Sequence, residues 1–169
     1  ATAHPAFSGR LPDQSRVLER VVVDQGAVDR GGGVLVTSRG PGTSLEFGLE
    51  LVSQLLSAGD SRALAEALVM PASDDPLLSI SLEPPVGPFP SEPAVLVPLA
   101  PGMAEVEAVI IIDVLRRAGA RVVAASVGGE AGVVTGARGV QVVSDCELSS
   151  VASEVFDLIA LPGGMPGAE

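Results

Sequence analysis

Seven of the chain's fourteen prolines fall between positions 71 and 93, at 71, 76, 84, 85, 88, 90 and 93. Each removes a backbone donor and fixes φ, so neither a central strand nor a long helix can run through this stretch. The chain therefore reads as three parts: residues 1–70, a Pro-rich linker at 71–93, and residues 94–169. An extended linker is the first expectation for the middle part, and an ordered loop strapped across a domain is the alternative. The full 169 residues amount to about one domain's worth of chain.

The last part carries the clearest pattern. Ala94-Val95-Leu96-Val97 is an apolar run of the kind buried on both faces of a parallel sheet. The loop Ala100-Pro101-Gly102 leads into a helix whose expected buried face is Ala108, Ile111, Ile112, Leu115 and Ala118. Arg116 and Arg117 suit its C-terminal end, and Gly119 suits its cap. A strand over 121–127 follows, then a ribbon of 133–135 with 140–143 turning around Gly136–Gly139. A short helix is expected near 149–155. A final strand, Leu158-Ile159-Ala160-Leu161, runs into Pro162-Gly163-Gly164. Strand–helix–strand alternation predicts an α/β fold with a parallel sheet and ligands at the carboxyl ends of its strands.

In the first part, strands are expected over 19–24 and 34–38. Thr43 with Glu46 has the spacing of a capping box, so a helix is predicted to start there. Leu45, Leu49, Val52 and Leu56 fall on one face of it. A second short helix is expected over 61–68.

Composition narrows the function. Twenty-one acidic and ten basic residues give a formal net charge of −11, and every basic residue is Arg. A strongly acidic chain without basic clusters repels phosphate backbones, which argues against nucleic-acid binding. A single cysteine excludes an intrachain disulfide framework and any multi-Cys zinc site. Apolar stretches are interrupted well before the ~18 residues that a membrane span requires, and no secretory signal is visible at the start.

Three loops at strand ends are candidate ligand contacts. Ser38-Arg39-Gly40-Pro41-Gly42-Thr43 is a Gly-rich entry to a helix, able to bind anions or to serve only as a tight turn. Gly102-Met103-Ala104-Glu105-Val106-Glu107 places two carboxylates in a helix's first turns. The helix dipole accounts for Glu105. It accounts less well for Glu107, whose i+4 and i+7 neighbours, Ile111 and Val114, are apolar. A carboxyl leaning toward buried surface suits a general acid/base. In Pro162-Gly163-Gly164 the glycines leave backbone N–H groups open to an oxyanion, or simply turn the chain. His4 is the only histidine and cannot form a triad alone. Cys146 lies between Asp145 and Glu147, and flanking carboxylates disfavour the thiolate that nucleophilic chemistry requires. It is read as an ordinary, partly buried cysteine.

The segment Val95–Glu107, the helix through Asp113–Gly119, and Phe156–Gly164 resemble the amino-terminal half of the ThiJ/PfpI superfamily. The nearest branch is the DJ-one type, the Parkinsonism-associated protein deglycase or glyoxalase III type. Thr2-Ala3-His4-Pro5 and Leu35–Phe47 resemble the carboxyl-terminal half of the same family. The halves stand in reversed order, and nothing matches the sharp turn that presents the family's nucleophilic cysteine. Two readings follow: a slice of a tandem protein, with the end of one copy, a linker and the start of the next; or a circular permutant without its elbow. The tandem reading is preferred.

The resemblance implies a flavodoxin-like parallel sheet sandwiched by helices, the class I glutamine amidotransferase-like fold, here in incomplete or split copies. It implies that Glu107 is the acid hydrogen-bonded to the reactive thiol, that Gly164 is a backbone donor beside it, and that His4 lies near the pocket. Arg39 and Gly163 would line that pocket, and Arg138 would lie near a dimer interface. The implied chemistry is cysteine addition to a small aldehyde such as methylglyoxal, then rearrangement to a hydroxy acid, with no metal or organic cofactor. Cys146 does not align with the nucleophile, so the chain alone is expected to be inactive. Other implications are a homodimer, or a pseudo-dimer with the second copy, and a cytoplasmic location, or a plastid one in a plant or alga. A non-catalytic binding or chaperone-like member of the same fold is the alternative.

Overall fold

The computed structural model describes residues 21–24, 35–68, 92–128 and 132–164. Most of the Pro-rich stretch lies outside these. The chain divides into two compact units, residues 1–89 and 90–169.

In the second unit four parallel strands form one sheet: β3 (Ala94–Leu99), β4 (Arg121–Ser126), β7 (Cys146–Glu147) and β8 (Leu158–Ile159), in the order β7-β4-β3-β8. Helix α3 (Glu105–Arg117) joins β3 to β4. Side chains alternate between the two faces of a strand. On one face, Leu96, Ala125 and Val151 form a buried cluster with Val123, Cys146, Leu148 and Phe156 packed against it. On the other, Val95, Val97 and Leu99, all fully buried, turn to the side where α3 packs. Helix α3 supplies Ala108, Ile111, Val114 and Leu115 to that layer. Val114 thus takes a place in the core that periodicity had given to Ile112, which is half-buried.

Helix α3 ends as its sequence requires. Gly119 adopts φ 86°, the left-handed conformation in which an L side chain is strained. The Ala120 N–H reaches back to the Leu115 carbonyl and the Gly119 N–H to Arg116, both at 3.1 Å. This is a Schellman cap. Two aspartates then pin loops to strands: Asp145 accepts the Ala124 N–H within β4 at 2.8 Å and Arg116 at 2.7 Å, and Asp157 accepts the N–H of Ala94 at the start of β3 at 2.8 Å.

Pro98 sits inside a central strand, where a missing donor is normally excluded. Its neighbours explain why it is tolerated. Carbonyls 93 and 99 accept from residues at the ends of β4, whereas 94 and 96 accept from residues flanking β8. That alternation turns the absent N–H of Pro98 toward β8, past the last paired residue, Ile159. The β3–β8 ladder has ended by that point. Strand β8 is accordingly two residues long rather than the four expected.

The expected ribbon forms from β5 (Val133–Thr135) and β6 (Gln141–Val143), paired antiparallel. The short helix expected near 149–155 is instead a single 3₁₀ turn, Leu148–Val151. Ser150 donates to the Glu147 carbonyl at 2.7 Å, the local competition by which serine shortens helices. Strand β7, just before it, carried no sequence signal.

In the first unit β1 (Val21–Asp24) pairs antiparallel with β2 (Leu35–Ser38). Residues 19, 20 and 34, also expected in these strands, lie outside the described residues. A 3₁₀ turn at Pro41–Thr43 leads into α1 (Ser44–Leu55). Thr43 is the N-cap, but the capping box does not form. Its hydroxyl bonds the Ser38 hydroxyl and donates to the Gly40 carbonyl at 2.9 Å. Leu49 and Val52 are fully buried; Leu45 and Leu56 are half-buried. Helix α2 (Ala58–Ala67) starts three residues earlier than expected because Ser57 is its cap, accepting the Asp60 N–H at 3.1 Å. Ser61 falls inside the helix and donates to the Leu49 carbonyl at 2.8 Å, tying α2 to α1.

The α3–sheet layer sets the stability of the second unit. Leu115→Ala, at a fully buried position, is expected to cost about 2–5 kcal/mol, read from urea unfolding of the full chain.

Candidate functional site

Strand β3 lies between β4 and β8, so the chain winds to one side of β3 and then to the other. In an open parallel sheet, ligands bind outside the carboxyl ends of the strands at such a reversal. Here those ends are the loop 100–104 after β3 and the turn 160–164 after β8.

Backbone bonds join these two loops. The Ala104 N–H donates to the Gly163 carbonyl at 2.7 Å, and the Gly163 N–H donates to Oε2 of Glu107 at 2.5 Å. Both polar groups of residue 163 are thus held by the segment that starts α3. Glu107 is half-buried, on the same helical stripe as the buried Ile111 and Val114. Its Oε1 makes no hydrogen bond among the described residues. The helix has no side-chain cap at Ala104, and a carboxylate in the first turn interacts favourably with its dipole.

The two glycines differ in what a side chain would meet. A Cβ on Gly163 would lie 2.7 Å from Oε2 of Glu107, the mobile end of a side chain. A Cβ on Gly164 would lie 2.4–2.6 Å from backbone atoms of residues 102–104, and φ there is 125°. Gly164 therefore lets two loops approach closely, and the amide that contacts Glu107 belongs to Gly163.

Glu105 has a role that the helix dipole does not capture. It is buried at 9% exposure, and its Oε1 accepts the backbone N–H of Arg138 at 2.6 Å and of Val140 at 3.4 Å. Its carboxyl is held below the ordinary value, chiefly by its own backbone N–H and then by that of Arg138; burial opposes this, and the Val140 N–H and Arg138 charge assist. Gly136 lacks a side chain where a Cβ would strike the Glu105 side chain at 2.3–2.5 Å. A glycine in the ribbon turn was the available sequence signal, and it reads as a turn residue until the carboxylate is seen beside it.

Other candidates lie elsewhere. Arg138 is exposed at the ribbon tip, with its guanidinium on the Ala137 carbonyl at 3.3 Å. Arg39 is half-buried between β2 and the 3₁₀ turn of the first unit. His4 lies outside the described residues. Cys146 is half-buried on β7, at the opposite edge of the sheet from β8. Among the described residues no cluster of three or more His, Cys, Asp or Glu could hold a metal ion, and no helix is long and apolar enough to cross a membrane.

The family model described as the DJ-1/PfpI family matches residues 93–169. Across its whole length the chain is 42% identical to Protein DJ-1 homolog B of Arabidopsis thaliana, covering 37% of that protein. It is 37% identical to Protein DJ-1 homolog A of the same plant, covering 42% of it. Residues 93–169 thus match the DJ-1/PfpI family, and the chain as a whole is similar to proteins of its DJ-1 branch. Protein dj-1beta of Drosophila melanogaster is 51% identical over 74 residues, 43% of this chain and 38% of the fly protein. Among solved structures, oxidized Toxoplasma gondii DJ-1 shares 55% identity over 44% of this chain and 40% of its own, with a TM-score of 0.43. The chain spans about two fifths of the length of the curated plant relatives it matches. With the two-residue edge strand β7 set aside, the β4-β3-β8 order is the 2-1-3 start of the flavodoxin-like sheet.

Two outcomes test the geometry. Gly164→Ala is expected to cost more than Gly163→Ala in urea unfolding. The first combines backbone overlap with strain of about 1–3 kcal/mol, whereas the second displaces a side chain and loses one hydrogen bond. Equal costs would contradict the close-approach role. The second outcome concerns pH. A depressed carboxyl stabilises the fold above its unfolded-state value and loses that contribution as pH falls through the folded-state value. The stability gap between wild type and Glu105→Gln should therefore be full at neutral pH and narrow only once pH drops below the ordinary 4.5.

Proposed function

We propose that this chain is part of a tandem DJ-1-branch protein: the carboxyl-terminal half of one copy (1–70), a linker (71–93) and the amino-terminal half of the next (94–169). The relatives support this order. The 171 aligned residues are 37% of the plant protein, whereas 74 are 38% of the fly protein. The plant protein is thus more than twice as long, and the match to it covers the whole of this chain.

The complete protein is proposed to act on methylglyoxal or a related small aldehyde. The observation that carries this reading is the Glu107 carboxylate, fixed by the Gly163 N–H at the sheet reversal with its second oxygen in no hydrogen bond among the described residues. A cysteine thiolate adds to the aldehyde carbonyl of the 2-oxoaldehyde; the carboxyl carries the proton from the hemithioacetal carbon to the adjacent ketone carbon, leaving a 2-hydroxy thioester, and water hydrolyses this to the hydroxy acid and the free thiol. Neighbouring backbone N–H groups stabilise the oxyanion. The thiolate comes from a segment outside this chain, because Cys146 packs against the core cluster at the far edge of the sheet. His4 and Arg39 would serve the pocket of the preceding copy.

A second reading, binding without catalysis, draws on a different surface. Val106 and Val109 of α3 and Val133, Val140 and Val143 of the ribbon are each roughly half exposed or more, and Val109 and Val143 line one shallow cleft. This surface and Arg138 would form the contact of a homodimer or pseudo-dimer.

The test is methylglyoxal consumption by the full-length parent. Turnover is expected, and Glu107→Gln should lower kcat/KM by roughly 10²–10⁴ while the protein stays folded. No turnover by a folded, dimeric parent would reject the enzyme in favour of the binding reading.

A further inference from the structure

We propose that Glu105 is a positioning residue: by fastening the β5–β6 ribbon to the start of α3, it fixes the 102–104 loop and, through that loop, the Gly163 peptide that orients Glu107. The inference rests on reading Glu107 as the acid/base group.

The bonds form a continuous chain. Glu105 holds the ribbon turn through the N–H groups of Arg138 and Val140. That turn is closed by the Gly136 N–H on the Val140 carbonyl at 2.9 Å. The ribbon bonds back to the loop twice, from the Gly102 N–H to the Thr135 carbonyl and from the Ala137 N–H to the Met103 carbonyl, each at 2.9 Å. The loop then holds Gly163 through the Ala104 N–H. Residues 102–105 are therefore clamped between the ribbon on one side and the β8 turn on the other. A ribbon of two three-residue strands is marginal by itself, so its grip on the loop depends on what fastens it. Glu105 is buried while Val106 beside it is 53% exposed, which marks a side chain built into the fold rather than a free charge at a helix end.

Amide hydrogen exchange in the full chain, read by NMR without substrate, tests this independently of any activity. Glu105→Ala should speed exchange about tenfold or more at Arg138 and Val140 and several-fold at Ala104 and Gly163. Glu105→Gln keeps an oxygen acceptor and should restore most of the Gly163 protection. Val134→Ala, at a buried ribbon position, controls for general loosening and should leave Gly163 protected relative to the ribbon. If Glu105→Ala does not fold, Glu105→Asp, one methylene short of the ribbon, takes its place. Opening confined to Arg138 and Val140 would overturn the proposal. So would a Gln variant as open at Gly163 as the Ala variant, or a Val134→Ala effect at Gly163 equal to that of Glu105→Ala.

Discussion

The peptide of Gly163 is held from both sides by one short segment, its carbonyl by the Ala104 N–H and its N–H by Glu107. Everything distinctive in the second unit depends on that double contact. It joins the loops after β3 and β8, the two strands that flank the sheet's reversal. It leaves no room for a side chain at 164, where the backbones of residues 102–104 crowd in, whereas at 163 a side chain would meet only the mobile end of Glu107. It also fixes a carboxylate where a parallel sheet places its ligands. Preorganised groups of this kind need no rearrangement when charge develops, which is the basis of their catalytic value.

Much of this was legible in the sequence, for identifiable reasons. The apolar run at 94–97, the amphipathic stretch after it and the Gly119 cap are strong local signals, and strand, helix and Schellman turn formed where they pointed. The doubtful place of Glu107 was visible because two apolar neighbours share its stripe. Less legible were features set by tertiary bonds. Thr43 looks like half of a capping box, yet its hydroxyl turns to Ser38 and Gly40. Ser149 and Ser150 sit in what reads as a helix, and their bonds to Glu147 leave a single 3₁₀ turn. Glu105 was indistinguishable from an ordinary N-terminal carboxylate, because its partners lie more than thirty residues away.

The two units pose separate folding problems. In the second, a βαβ core with its sheet buried on both faces is self-sufficient in its local connections. In the first, a two-stranded antiparallel sheet and two helices hold together through bonds such as Ser61 to Leu49. An isolated two-stranded sheet contributes little stability on its own; among the described residues of this unit, α1 supplies the buried Leu49, Leu51, Val52 and Leu55.

The start of α3 shows how few residues can serve several surfaces. Successive positions on a helix are about 100° apart, so residues 105, 106 and 107 point in three directions. Glu105 turns to the ribbon, Val106 to the exposed apolar surface, and Glu107 to the reversal of the sheet. A shift of one residue in this register would exchange a buried anchor for an exposed valine and withdraw the carboxylate from Gly163. The contacts on either side oppose such a shift, because the ribbon grips the segment at 102, 103 and 105 and Gly163 grips it at 104 and 107. Register at this helix start, and with it the position of the carboxylate, is set by bonds from two directions rather than by any cap of the helix's own.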